Sequence, residues 1–148
     1  MRRFVGAVVL VAAGLGLAGC GSGSPIAALD KEPAARDALA ADLDGIDGPS
    51  ARFAAELDSH ALFLAKPSDP AAADGVCVVA QPAQDPAGAV AACSQSVPVY
   101  TPLVLETGGM KIGVVADGFK ASSYLAQGWQ QIHRNLLVQT AAASKLGP

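Results

Sequence analysis

The chain has 148 residues, with 13 Asp and Glu against 10 Lys and Arg, a formal net charge of −3 at pH 7. That balance argues against a nucleic-acid partner, because neutralising a phosphate backbone requires clustered Lys and Arg. Alanine is abundant, glycine occurs 16 times and aromatic residues make up 5%, a composition that reports a GC-rich coding sequence more than a fold.

Residues 1–20 are built like a secretory leader. Arg2 and Arg3 supply a positive start, Phe4 to Gly16 an apolar stretch, and Leu17-Ala18-Gly19 a small-residue end. The uncharged run from Phe4 to Gly19 is 16 residues, shorter than the roughly 20 that span a bilayer as a helix, and four glycines dilute it. Leu17-Ala18-Gly19-Cys20 directly after such a run resembles the lipobox of bacterial lipoproteins. The resemblance implies that the Cys20 thiol takes a diacylglyceryl group, that signal peptidase II cuts just before it, and that the new amino group is acylated. A thiolate is a strong nucleophile suited to that transfer. An ordinary cleavable signal peptide with an incidental cysteine is the alternative. The expected organisation is a signal peptide at 1–19, a lipidated Cys20 with a flexible tether at 20–29, and an extracytoplasmic domain at 30–148, held on the outer face of the cell membrane. Loss of Arg2 and Arg3 leaves 8 basic against 13 acidic residues, a formal charge of −5.

Gly21-Ser22-Gly23-Ser24-Pro25 has linker composition. From Asp30 to Asp44 the chain is alanine-rich, with Pro33 suited to a first helical position and Leu39 and Leu43 spaced i, i+4, which predicts a short helix over 33–43. Gly45-Ile46-Asp47-Gly48-Pro49 should end it. Ser50 to Lys66 is compatible with a helix capped by Ser50. The compact run Leu62-Phe63-Leu64, closed by Lys66-Pro67, favours a hairpin turning at Asp58-Ser59. Val76 to Ala80 is the clearest strand, flanked by loops at 68–75 and 81–88, and Ala89 to Ser94 is the next. Pro98 and Pro102 restrict any strand over 97–105 to an edge or a broken one. Gly108-Gly109 turns the chain into a strand at 111–116, closed by Asp117-Gly118. Residues 121–132 read as irregular or briefly helical, 135–139 as a last strand, and the tail from Ala141 should fray.

Cys77 and Cys93 form an even pair, and in an oxidising compartment a disulfide is the default. Two separate buried thiols, or a two-cysteine metal site, are weaker alternatives. If Cys77 faces Cys93 across a hairpin, the turn centres on Asp85, Val79 lies opposite Ala91, and Val76, Val78, Val90 and Ala92 share the other face. Both faces are then apolar, which predicts a hairpin near the middle of a sheet. The order DKEP, DAL, GVCVV, AACS, GVVADG, NLLV over most of residues 30–139 is similar to a group of uncharacterised actinobacterial lipoproteins and membrane-anchored proteins. That resemblance implies a location and no activity.

Catalytic patterns are sparse. His60 sits in Asp58-Ser59-His60, but a relay needs side chains converging from separate elements, so a polar turn is expected. His133, beside Arg134, reads as a surface histidine. Phosphate-loop, zinc-helix, nucleophile-elbow and dinucleotide motifs are absent from the sequence. Tyr100, Tyr124 and Trp129 are suited either to a ligand groove or to the core. The expectation is therefore an α+β, mostly antiparallel β, single disulfide-stapled domain with a short N-terminal helix, using no cofactor or metal. Its expected role is non-enzymatic: a binding or scaffolding module for an envelope component, supported if residues 97–105 expose an apolar patch. The rival is a small envelope hydrolase or metal-binding enzyme, with His60 or His133 meeting a carboxylate in a pocket. A two-lobed solute-binding protein is disfavoured at this length.

Overall fold

The computed structural model describes residues 24–97 and 99–140. The leader, Cys20 and the tail from Ala141 lie outside the described residues. Eight strands form: β1 (Ile46–Leu57), β2 (His60–Pro67), β3 (Val76–Pro82), β4 (Val90–Ser94), β5 (Leu103–Thr107), β6 (Met110–Val114), β7 (Gln130–His133) and β8 (Leu136–Thr140). They pair antiparallel in two four-stranded sheets, ordered β1-β2-β3-β4 and β5-β6-β8-β7. Helix is minimal: one turn at Ser122–Leu125 and short 3-10 turns. The domain is mostly antiparallel β.

The turn residues explain the hairpins. Asp58 and Ser59 both have positive φ, 46° and 63°, the conformation a two-residue turn needs to match strand twist. Gly108 and Gly109 do the same between β5 and β6, at 55° and 78°. Alternation along the strands then sends one set of side chains between the sheets. Leu62, Leu64, Val76, Val78 and Ala80 from the first sheet meet Leu105, Ile112, Val114, Leu136 and Val138 from the second in one buried cluster. The edges also approach each other, β4 beside β5 and β1 near β7.

The outer faces are covered too. Phe63, Ala65, Cys77 and Val79 lie under Leu39, Leu43 and Phe53. Val115 and Leu137 lie under Phe119, Tyr124 and Trp129. This second layer is why the strand sequences look apolar on both faces.

Several expectations change. The helix over 33–43 is replaced by a 3-10 turn at Ala35–Asp37 and extended chain. An 11-residue helix is marginal on its own. Here Asp37 reaches instead across the fold, its Oδ1 accepting the Phe53 N–H at 2.9 Å while Oδ2 accepts that of Ala34 at 2.7 Å. Gly48-Pro49 does not interrupt the chain but lies inside β1, at a break in register between Asp47 and Arg52. Ser50 closes that bulge: its hydroxyl donates to the Asp47 carbonyl (2.6 Å) and accepts the Lys66 N–H (2.7 Å). Proline is tolerated because β1 is an edge strand. Residues 26–29, assigned from composition to the tether, are part of the fold, with Ile26 and Leu29 in the central core. Finally, the register of β3 and β4 is the expected one, Cys77 opposite Cys93 and Val79 opposite Ala91, and the two cysteines are disulfide-bonded. The hairpin is not central, however. β4 is an edge strand with Val90, Ala91 and Cys93 exposed, because its alanines are too small to support a further layer.

Candidate functional site

The sheet end formed by the residues after β6 carries the densest polar network and the most exposed aromatic surface. Asn135, in the tight turn between β7 and β8, is fully buried. Its Nδ2 donates to the Val115 carbonyl at 3.1 Å and to Asp117 Oδ1 at 2.8 Å, and its own N–H donates to His133 Nδ1 at 3.2 Å. Asn135 Oδ1 has no hydrogen-bond partner among the described residues. Asp117 Oδ2 accepts the Ala27 N–H at 2.8 Å, and the Asp117 N–H donates to the Pro25 carbonyl at 2.9 Å. Both carboxylate oxygens are therefore engaged by internal donors, and the N-terminal segment is latched to the end of β6.

Electrostatics match this geometry. Burial pushes the Asp117 carboxyl up. The hydrogen bonds from Ala27 and Asn135, with Arg134 and His133 nearby, outweigh it and leave the pKa below the ordinary carboxylate value. Burial lowers the pKa of His133, and Arg134 and Lys31 lower it further against an opposing pull from Asp117. A neutral imidazole is what an Nδ1 acceptor requires. This cluster acts as a clasp: its carboxylate accepts the Ala27 backbone N–H on one oxygen and the Asn135 side-chain amide on the other.

Beside the clasp lies an open groove of about 340 Å³, lined by Val99, Tyr100, Asp117, Phe119, Lys120 and Tyr124 among others. Tyr100 is 88% exposed and Val99 52%, and Val104 and Leu125 add apolar surface at 39% and 46%. Three aromatic rings pack in series, Phe119 to Tyr124 at 5.7 Å between centroids and Tyr124 to Trp129 at 6.1 Å. Trp129 and Pro102 also close over Gly113, where an added Cβ would come within 3.2 and 3.0 Å of them. A larger depression of about 470 Å³ beside Gly48-Pro49 is lined mainly by small side chains, with Leu39 and Asp42. It lacks aromatic anchors.

Of the residues singled out from sequence, Tyr100 and Tyr124 line the groove, and Trp129 supports Tyr124 from below. Within 97–105, Val99, Tyr100 and Val104 are exposed. His60 is placed apart from the clasp, at the β1–β2 turn, where its Nδ1 lies 3.0 Å from the Asp58 carbonyl. His133 does share its surroundings with a carboxylate, through Asn135. Among the described residues no group of three His, Cys, Asp or Glu side chains is arranged to hold a metal. Sequence reasoning missed Asp117, which reads as a turn residue closing a strand, and Asn135, which reads as the first residue of the last strand. Their one signal is that both stand beside strands otherwise apolar (GVVADG and RNLLV).

No protein-family model matches the chain, and searches of curated proteins and of solved structures likewise returned no match. The class that can be stated from the fold is a disulfide-linked, two-sheet antiparallel β domain with an aromatic groove at one sheet end.

Proposed function

We propose that the protein is a lipid-anchored lipoprotein of the extracytoplasmic face of a bacterial cell membrane, and that it binds an envelope component through the groove beside Tyr100. The observation that carries the location is Leu17-Ala18-Gly19-Cys20 after a 16-residue uncharged run. The Cys77–Cys93 disulfide is consistent with an oxidising compartment. Among the described residues no helix is long and apolar enough to cross a membrane, and membrane attachment is assigned to Cys20 on the lipobox resemblance alone. Two or more acyl chains hold a protein stably, at about 0.8 kcal/mol per buried CH₂.

The binding role rests on exposed Val99, Tyr100 and Val104 and on the aromatic groove that Val99 and Tyr100 line. Solvent-facing aromatic side chains of this kind are costly to leave uncovered and are typical of contact surfaces.

The test is Cys20→Ala. Fractionated cells should show the variant released from membranes or accumulated as unprocessed precursor, and mass spectrometry of the wild-type N-terminal peptide should show an acylated Cys20. An unmodified peptide beginning at Met1 would refute the proposal.

A further inference from the structure

The N-terminal end of the described chain and the groove share one end of the domain. Ser24 is the first described residue, and Pro25 and Ala27 are hydrogen-bonded to Asp117, which is itself one of the residues lining the groove. Ser24 is held in turn, its N–H donating to Asp30 Oδ2 at 2.7 Å. Three residues lie between Cys20 and Ser24, and the four steps from one to the other reach at most about 14 Å when fully extended. A domain of this size is about 35 Å across. The link is thus too short to bring the far end of the sandwich, the β5–β6 turn at Gly108-Gly109, down to a bilayer that holds Cys20.

Resting on the lipoprotein reading above, we infer that the envelope component the groove binds is the bilayer itself: Val99, Tyr100 and the rings of Phe119 and Tyr124 seat in the headgroup region of the membrane that carries the Cys20 acyl chains. The side-chain chemistry fits that occupant. Tyrosine places an apolar ring and a polar tip at an apolar–aqueous boundary, and Lys120 on the groove wall is placed to pair with lipid phosphate. The mature chain's net negative charge opposes electrostatic recruitment from solution. No recruitment is needed here, because tethering makes the contact intramolecular and lets a weak apolar footprint suffice. The Asp117 clasp then has a purpose. By fixing residues 24–30 against the groove end, it sets the orientation of the whole domain on the surface.

The test uses the full chain in its lipid-modified form, reconstituted into vesicles of equal parts phosphatidylethanolamine and phosphatidylglycerol with brominated acyl chains. One sample carries Tyr100→Trp and a control carries Glu106→Trp, on β5 beside its turn into β6; wild-type protein supplies the Trp129 background. Both positions are exposed, so neither substitution threatens the fold. The indole added at position 100 should lose most of its emission and that at 106 none. Protein that floats with the vesicles while the indole at 100 stays unquenched overturns the docking and leaves the anchor intact. Protein that does not float overturns both. A photocrosslinker at position 100 in intact cells should yield lipid adducts; adducts to a polypeptide, whether a second copy or another protein, overturn the bilayer as occupant.

Discussion

Asn135 has no exposed surface and satisfies two acceptors that nothing else described reaches, the Val115 carbonyl and Asp117 Oδ1. Asn135→Ala removes both donors at once. Leaving buried acceptors unpaired costs about 1–3 kcal/mol, so the urea midpoint should fall. The acid transition should also move to higher pH, because Asp117 loses a donor that favours its charged form. Gly75 is constrained differently. A Cβ there would overlap the Ser94 carbonyl oxygen and come within 2.8 Å of Pro67 Cγ and 2.9 Å of the Ala72 carbonyl. Two of those neighbours are backbone and cannot yield like a flexible side chain. Gly75→Ala should destabilise by about 1–3 kcal/mol, the usual cost of overpacking, measured by thermal or chemical denaturation. Neither residue stands out in the sequence, since burial and close approach are set by distant segments.

The β3–β4 hairpin was legible almost to the residue, because two cysteines in register, a Pro/Gly loop and alternating valines all specify the same pairing. The disulfide spans 16 residues of chain separation. Closing a loop of that size stabilises by roughly 3 kcal/mol on the chain-entropy model, and native domains hold about 5–15 kcal/mol in all. Reduction, or the double substitution Cys77→Ala with Cys93→Ala, should therefore lower the denaturation midpoint measurably. Cys93 is exposed on an edge strand, so a soluble reductant should act on the folded protein without prior unfolding. The segment 33–43 misled for the opposite reason. Alanine carries helix propensity without specifying anything, and the choice was made by Asp37 binding Phe53 and by Leu39 and Leu43 covering the first sheet. β7 was missed because Gln130 and Gln131 are exposed edge residues with no apolar alternation.

At the scale of the whole molecule, pH dependence follows from three groups. Asp37 is raised by burial but brought below the ordinary carboxylate value by the N–H groups of Ala34 and Phe53 and by Arg52 and Arg36; Asp117 behaves likewise. For a depressed carboxylate the stabilisation is complete above the unfolded pKa, near 3.9, and is lost as pH falls through the lower folded value. His133 is also depressed, so between its folded value and 6.5 the unfolded chain binds more protons and folding weakens as pH drops. Stability should decline mildly below pH 6.5 and steeply below about pH 4, followed by circular dichroism across a pH series. His133→Gln should remove the upper phase and leave the lower.

The aromatic groove belongs to this scale as well. Tyr100, Tyr124 and Trp129 were visible as candidates for a binding surface or for the core, and composition offered no means of choosing. By itself the sequence determined the mainly antiparallel character, the hairpin turns and the partner of each cysteine, because positive-φ turn residues, alternation and covalent pairing act over a few residues. Only the tertiary structure decided that Ile26 and Leu29 enter the core, that Asp117 clasps the incoming chain, and that Tyr100 faces solvent beside it. Each of those depends on which distant surfaces come together, and burial is a property of the assembled sheets that no local pattern encodes.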